Sequence, residues 1–101
     1  MTLQDLADLI TSRKNADPNS SWTAKLLAQG PEKCAEKFGE EAIEAIIEAV
    51  KGDKKKLTSE AADVLFHLLV MLTANDVTLD DVLAELNRRQ GTSGLTEKAN
   101  R

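Results

Sequence analysis

Leu3, Leu6, Leu9 and Ile10 recur at helical spacing behind Thr2, a residue suited to cap a helix, and this pattern predicts a first helix to about Lys14. Asn15 to Ser21 reads as a loop, because its Asn, Asp and Ser side chains bond their own backbone and Pro18 ends any helix before it. Trp22 to Gln29 reads as a short helix, capped by Ser20 or Ser21 and closed by Gly30. Pro31, which has no amide hydrogen to leave unpaired, opens a long helix to Val50 or Lys51, broken at Gly52. A fourth helix is predicted from Lys54 to about Ala74, then a turn at Asn75 to Val77. Thr78 caps a last helix to about Gln90, stopped by Gly91. Thr92 to Arg101, polar and with a lone Leu95, reads as a frayed tail, leaving residues 1–91 as one all-α domain of about four to five helices.

The two long helices carry different patterns. On the third, Phe38, Ala42, Ile43, Ala45, Ile46, Ile47, Ala49 and Val50 cover a broad apolar arc, and Glu40, Glu41, Glu44 and Glu48 share the remaining arc with Lys37 and Lys51. Alone, that is the solvated face of an amphipathic helix, laced by pairs such as Lys37–Glu41. The fourth helix is apolar all round, from Ala61 to Leu72, which predicts burial on nearly every side. One stripe of it nevertheless holds Glu60, Asp63 and His67. Five helices offer too little material to cover such a helix, so a homodimer whose interface includes it is expected.

The acidic residues follow a spacing. Glu40, Glu41 and Glu44 form EExxE, fifteen residues intervene, and Glu60 and Asp63 form ExxD. Residues three or four apart share a helix face, so two antiparallel helices would bring about four carboxylates into one small volume. Buried carboxylates cost several kcal/mol unless protonated, paired or metal-bound, and oxygen donors of this kind suit Mg²⁺.

Composition narrows the possibilities. Aromatic residues are 3% with no Tyr, and Ala, Leu, Glu and Lys dominate, which favours helix over sheet. The net charge of −4 and a pI near 5.0 argue against a nucleic-acid partner. The single Cys34 excludes an intramolecular disulfide and suits a reducing cytoplasm. Met1 to Ala16 is amphipathic with acidic residues, unlike a signal segment, and Val64 to Leu72 falls short of the roughly 20 residues of a membrane span. A soluble cytoplasmic protein, with no membrane partner, is expected.

EExxE followed by ExxD on neighbouring helices resembles the all-α nucleoside-triphosphate pyrophosphohydrolase (MazG-like) superfamily. Arg13 to Leu27, Lys37 to Glu44 and Glu60 to Leu72 together make the chain most similar to the phosphoribosyl-ATP pyrophosphatase family within it, over residues about 3 to 90. Trp22 stands where that family tends to have Tyr, and Phe38 where it tends to have Val. The resemblance implies a dimeric MazG-like bundle that hydrolyses the α–β phosphoanhydride of phosphoribosyl-ATP, the second step of histidine biosynthesis, with Mg²⁺ as cofactor. By motif position it implies Glu41, Glu44, Glu60 and Asp63 as metal ligands, and Glu40 as support for a ligand or for an attacking water. Lys37 is the first candidate for the substrate's phosphates, followed by Arg13, Lys14 and Lys25. The rivals are a house-cleaning pyrophosphohydrolase of the same superfamily and a non-catalytic dimerisation module with merely solvating acidic stripes.

Three further residues carry expectations. His67 reads as a hydrogen-bonded core residue, with a role in holding Asp63 as the functional alternative. Cys34 reads as packing, Trp22 as a core or interface anchor, and Lys54 to Lys56 as a solvated turn.

Overall fold

The computed structural model describes residues 1–91 and 94–100, and it is helical throughout. Helix α1 spans Leu3–Ser12, α2 Trp22–Ala28, α3 Pro31–Lys51, α4 Lys54–Ala74, α5 Leu79–Arg89 and α6 Gly94–Ala99. Side-chain caps set most starts. Thr2 and Asp5 form a reciprocal capping box, as do Thr78 and Asp81, while Ser21 accepts from the Ala24 amide at 3.2 Å and Asp53 from the Lys56 amide at 3.0 Å. Gly30 at φ 95° and Gly52 at φ 75° occupy backbone conformations that side chains disfavour, which fixes them before and after α3. Lys54 to Lys56 form the first turn of α4 and are exposed, as expected. Within the expected tail, Gly94–Ala99 forms α6, consistent with the helix formers of Leu-Thr-Glu-Lys-Ala. Thr92, Ser93 and Arg101 lie outside the described residues.

Helices α3 and α4 make an antiparallel hairpin across the Gly52–Asp53 turn, and α1, α2 and the start of α5 gather at its open end. There Ala7 and Ile10 of α1, Leu26 of α2, Cys34 of α3, Leu69 and Val70 of α4 and Leu79 of α5 form the core. Ile10, Leu26 and Val70 are fully buried, each contributing roughly 1.5–3 kcal/mol. Burial of Cys34 raises its thiol pKa, and Sγ donates to the Leu26 carbonyl at 3.3 Å; it is a packing residue, as expected.

The turn half of the hairpin is covered differently from expectation. On α4 only His67, Leu69 and Val70 are buried, so this helix is not enclosed on every side within one chain, and its main packing is against α3. By length and composition α4 could cross a membrane, with a mean hydropathy of 1.4 over its best window, and one stripe of it carries Glu60, Asp63 and His67. On α3 the polar arc is not simply solvated. Glu48 is buried and Glu41 half-buried, whereas Ile43, Ile46, Ile47 and Val50 are 46–84% exposed. The helix turns Glu41 and Glu48, with Phe38, Ala42 and Ala45, toward the hairpin, and leaves Glu40, Glu44 and these four apolar residues exposed.

Candidate active site

Helix α3 places Lys37, Glu41 and Glu48, with the exposed Glu44 at the edge, along the groove it forms with α4, and His67, the exposed Asp63 and Glu60 follow in reverse order on α4. The helical repeat dictates this ladder: each step of three or four residues keeps a side chain on one face. The structure brings together Glu41, Glu60 and Asp63, each offering a carboxylate oxygen within 4.8 Å of the other two. Glu60 Oε2 is buried without a hydrogen-bond partner, as an acceptor reserved for a cation would be. The donor set is all carboxylate, and it fits a hard divalent ion.

The electrostatics agree with the geometry. Burial first, then the charge and hydrogen bonding of Glu44, then the charges of Asp63 and Glu60 push the Glu41 carboxyl above its ordinary pKa. Glu60 is pushed the same way, by burial, by Glu44, and then by the charges of Asp63 and Glu48. Glu44 therefore adjoins both, although it lies outside the tight group of three. Carboxylates this close repel one another, so full ionisation of this cluster is favoured by a positive charge among its members.

Lys37 is the cation nearest in the ladder. Its Nζ donates to Glu40 Oε2 at 3.2 Å, replacing the expected pair with Glu41, and that bond together with the charges of Glu40 and Glu41 keeps its pKa raised and the ammonium charged. Glu40 thus faces Lys37 and not the group of three. Arg13, Lys14 and Lys25 occupy other places. Arg13 ends α1, Lys14 pairs with Asp76 beside a cavity of about 340 Å³ between α1, α4 and α5, and Lys25 stands exposed with Trp22 along the Pro18–Lys25 groove. No contact among the described residues joins these three cations to the carboxylates. Trp22 is 58% exposed, so it is not a core anchor in the single chain.

His67 is buried, meeting Phe66 edge-on at 5.1 Å, and burial and the Lys37 charge depress its pKa, holding the ring neutral. Its Nδ1 lacks a hydrogen-bond partner, so it is a core histidine without the expected hydrogen bond there. Glu48 is the residue that sequence reasoning left on a solvated face. Its spacing of four from Glu44 was the available signal.

Comparison with known proteins agrees with this arrangement. The family model described as phosphoribosyl-ATP pyrophosphohydrolase matches residues 3–90. A phosphoribosyl-ATP pyrophosphatase of Ruegeria pomeroyi is 77% identical over 98% of this chain and 94% of its own length. Proteins of the same description from Cereibacter sphaeroides and Dinoroseobacter shibae are 73% and 75% identical, over 98% of this chain and 96% and 97% of theirs. With matches of that extent laid over two helices whose carboxylates converge, the chain belongs to the phosphoribosyl-ATP pyrophosphohydrolase family.

Proposed function

We propose that this chain is a Mg²⁺-dependent, cytoplasmic hydrolase that cleaves the α–β phosphoanhydride of phosphoribosyl-ATP, giving phosphoribosyl-AMP and pyrophosphate in histidine biosynthesis. The observation that carries the reading is the convergence of Glu41, Glu60 and Asp63, with Glu44 beside them, in a chain of this family. Glu41, Glu44, Glu60 and Asp63 would hold the ion. When bound, Mg²⁺ would link these anions to an anionic substrate and neutralise charge developing on the phosphoryl oxygens. Lys37, half-buried and one turn before Glu41, is placed to donate to a phosphate oxygen, exchanging Glu40 for the substrate. Glu40, released from Lys37, is free to orient water. A carboxylate of the cluster takes the proton of the attacking water.

The reading includes a homodimer. A folded monomer of 11.0 kDa exposes about 5,600 Å², whereas this chain exposes 7027 Å². The excess, roughly 1,400 Å², exceeds the ~800 Å² that each partner buries in a standard interface. The outward isoleucines of α3, together with Leu65 of α4, are the surface a second copy would cover.

Pyrophosphate release from phosphoribosyl-ATP and from a panel of nucleoside triphosphates, with and without Mg²⁺, tests the reading. Mg²⁺-dependent release from phosphoribosyl-ATP is expected. Turnover of common triphosphates alone would favour the house-cleaning rival, and no turnover under any condition would favour the dimerisation module. Asp63→Asn should reduce turnover at least about 10²-fold, the scale of an ion contact worth several kcal/mol. Its helicity should be unchanged.

A further inference from the structure

His67 is the one histidine of the chain, and it is buried, at 7% exposure. Its ring nitrogen Nδ1 is buried without a hydrogen-bond partner, and no step of the proposed chemistry uses it. A buried polar atom left unpaired is costly. The hairpin places a donor at its level. Glu41 of α3 meets Glu60 and Asp63 of α4, which fixes the register of the two helices. In an antiparallel pair, four residues back along α3 and four forward along α4 run the same way, about 6 Å from the triad toward the open end. Those steps reach Lys37 and His67. Lys37 leans into the groove: its side chain is 29% exposed, against 42–64% for Lys14, Lys33 and Lys51. After burial, the Lys37 charge is the largest influence on the His67 ring, ahead of Asp63 and Glu40. Both burial and that charge keep the ring neutral, the form with one nitrogen free to accept.

An ammonium only donates, and it has three N–H groups. The structure engages Lys37 on Glu40 Oε2, at 3.2 Å. A charged carboxylate outcompetes an imidazole for an ammonium, so Lys37 turns to Glu40 until a phosphate takes it. We propose that His67 is a positioning residue for the pyrophosphohydrolase reaction: its Nδ1 accepts from the Lys37 ammonium when a substrate phosphate draws that lysine off Glu40. The flexible four-carbon stem of a lysine loses much rotamer freedom on binding, and a head anchored on His67 aims its remaining N–H groups at the phosphate. The inference rests on the function proposed above and adds His67 to the residues that bind its substrate.

A double-mutant cycle with phosphoribosyl-ATP and Mg²⁺ tests it. His67→Phe keeps a ring beside Phe66 and removes the acceptor. Its KM should rise roughly three- to tenfold, the scale of one hydrogen bond, with kcat within about twofold. His67→Asn carries an amide oxygen near the place of Nδ1 and should recover most of that loss. In a Lys37→Ala background, His67→Phe should change KM by less than about twofold, because its partner is already gone. Losses that add in full, or an Asn variant no better than Phe, would overturn the pairing and leave hydrolysis itself intact. The ¹⁵N resonances of the single imidazole give a readout besides turnover. In the whole chain with Mg²⁺ and inorganic pyrophosphate, Nδ1 should be unprotonated and hydrogen-bonded, and Lys37→Ala should abolish the hydrogen-bond shift. A protonated Nδ1, or a ring spectrum indifferent to Lys37→Ala, would overturn the pairing whatever the kinetics show. A wild type that releases no pyrophosphate would instead overturn the parent reading, and the ring spectrum would still decide the pairing.

Discussion

Glu60 illustrates how one residue couples the site to stability. Its carboxyl pKa is raised in the folded chain above the ordinary 4.5, by burial and by its acidic neighbours, so the folded state binds protons more tightly than the unfolded one. The sign follows: the protonated form is favoured on folding, and that stability is present below about pH 4.5 and lost as pH climbs through the raised value. Glu60→Gln should therefore raise the melting temperature of the metal-free protein at pH 7, with the gain vanishing as the pH falls below 4.5. Added Mg²⁺ should reverse the ranking, since only the wild type keeps the ligand. Melting curves of both proteins in chelator and in Mg²⁺ check this, and a pH-independent difference would count against a crowded cluster. Lys37 makes the complementary prediction. Removing a charge-assisted donor worth about 1.5–3 kcal/mol should raise the KM of Lys37→Ala by roughly 10- to 100-fold. Mn²⁺ affinity should stay within twofold or rise. Equal losses of substrate and metal would show that Lys37 only organises the groove.

Helix α3 is the element on which sequence and structure part company. Its bounds were legible: Pro31 at the start and Gly52 at the end act through local backbone geometry, as do the caps Thr2, Ser21 and Thr78 of other helices. The spacing of Glu41, Glu60 and Asp63 was legible too, because a ladder on each of two paired helices needs only the 3.6-residue repeat. Which face of α3 turns inward was not legible. A hydrophobic arc normally marks the core side, and here Ile43, Ile46, Ile47 and Val50 of it lie outside, because Glu41 of α3 meets Glu60 and Asp63 of the neighbouring helix. The same inversion hid Glu48, which a wheel of α3 alone assigns to solvent. The exposed arc of α3 gives a test. Ile46, 60% exposed, lies at the centre of it, and Ile46→Glu places a charge where an apolar partner is proposed. Burying that charge costs several kcal/mol, so sedimentation should report a monomer at micromolar concentration, with helicity largely kept in the α1–α2 end. A variant that sediments like the wild type would move the interface elsewhere.

At the scale of the whole molecule, the hairpin is long relative to its core. The radius of gyration is 15.5 Å, against about 13 Å for a compact domain of this length. Helix α5 contributes to that spread: Leu79 is buried, but Leu83 and Leu86 are 42% and 48% exposed, so its apolar face also lacks cover from its own chain. An open chain with two uncovered apolar helix faces draws part of its stability from association, and association makes stability depend on concentration. Each tenfold rise in protein adds about 1.4 kcal/mol per mole of dimer. Unfolding entropy near 2.1 cal/mol/K per residue, taken over two chains, converts this to a melting shift of roughly 3 °C per decade. Melting the metal-free protein between 1 and 100 µM, about two decades, should therefore move the midpoint by roughly 6 °C. Ile46→Glu should melt lower and at a midpoint independent of concentration, because its unfolding no longer separates two chains. A wild-type midpoint constant across that range would mean the hairpin stands alone with its isoleucines in water, and the homodimer would have to be abandoned.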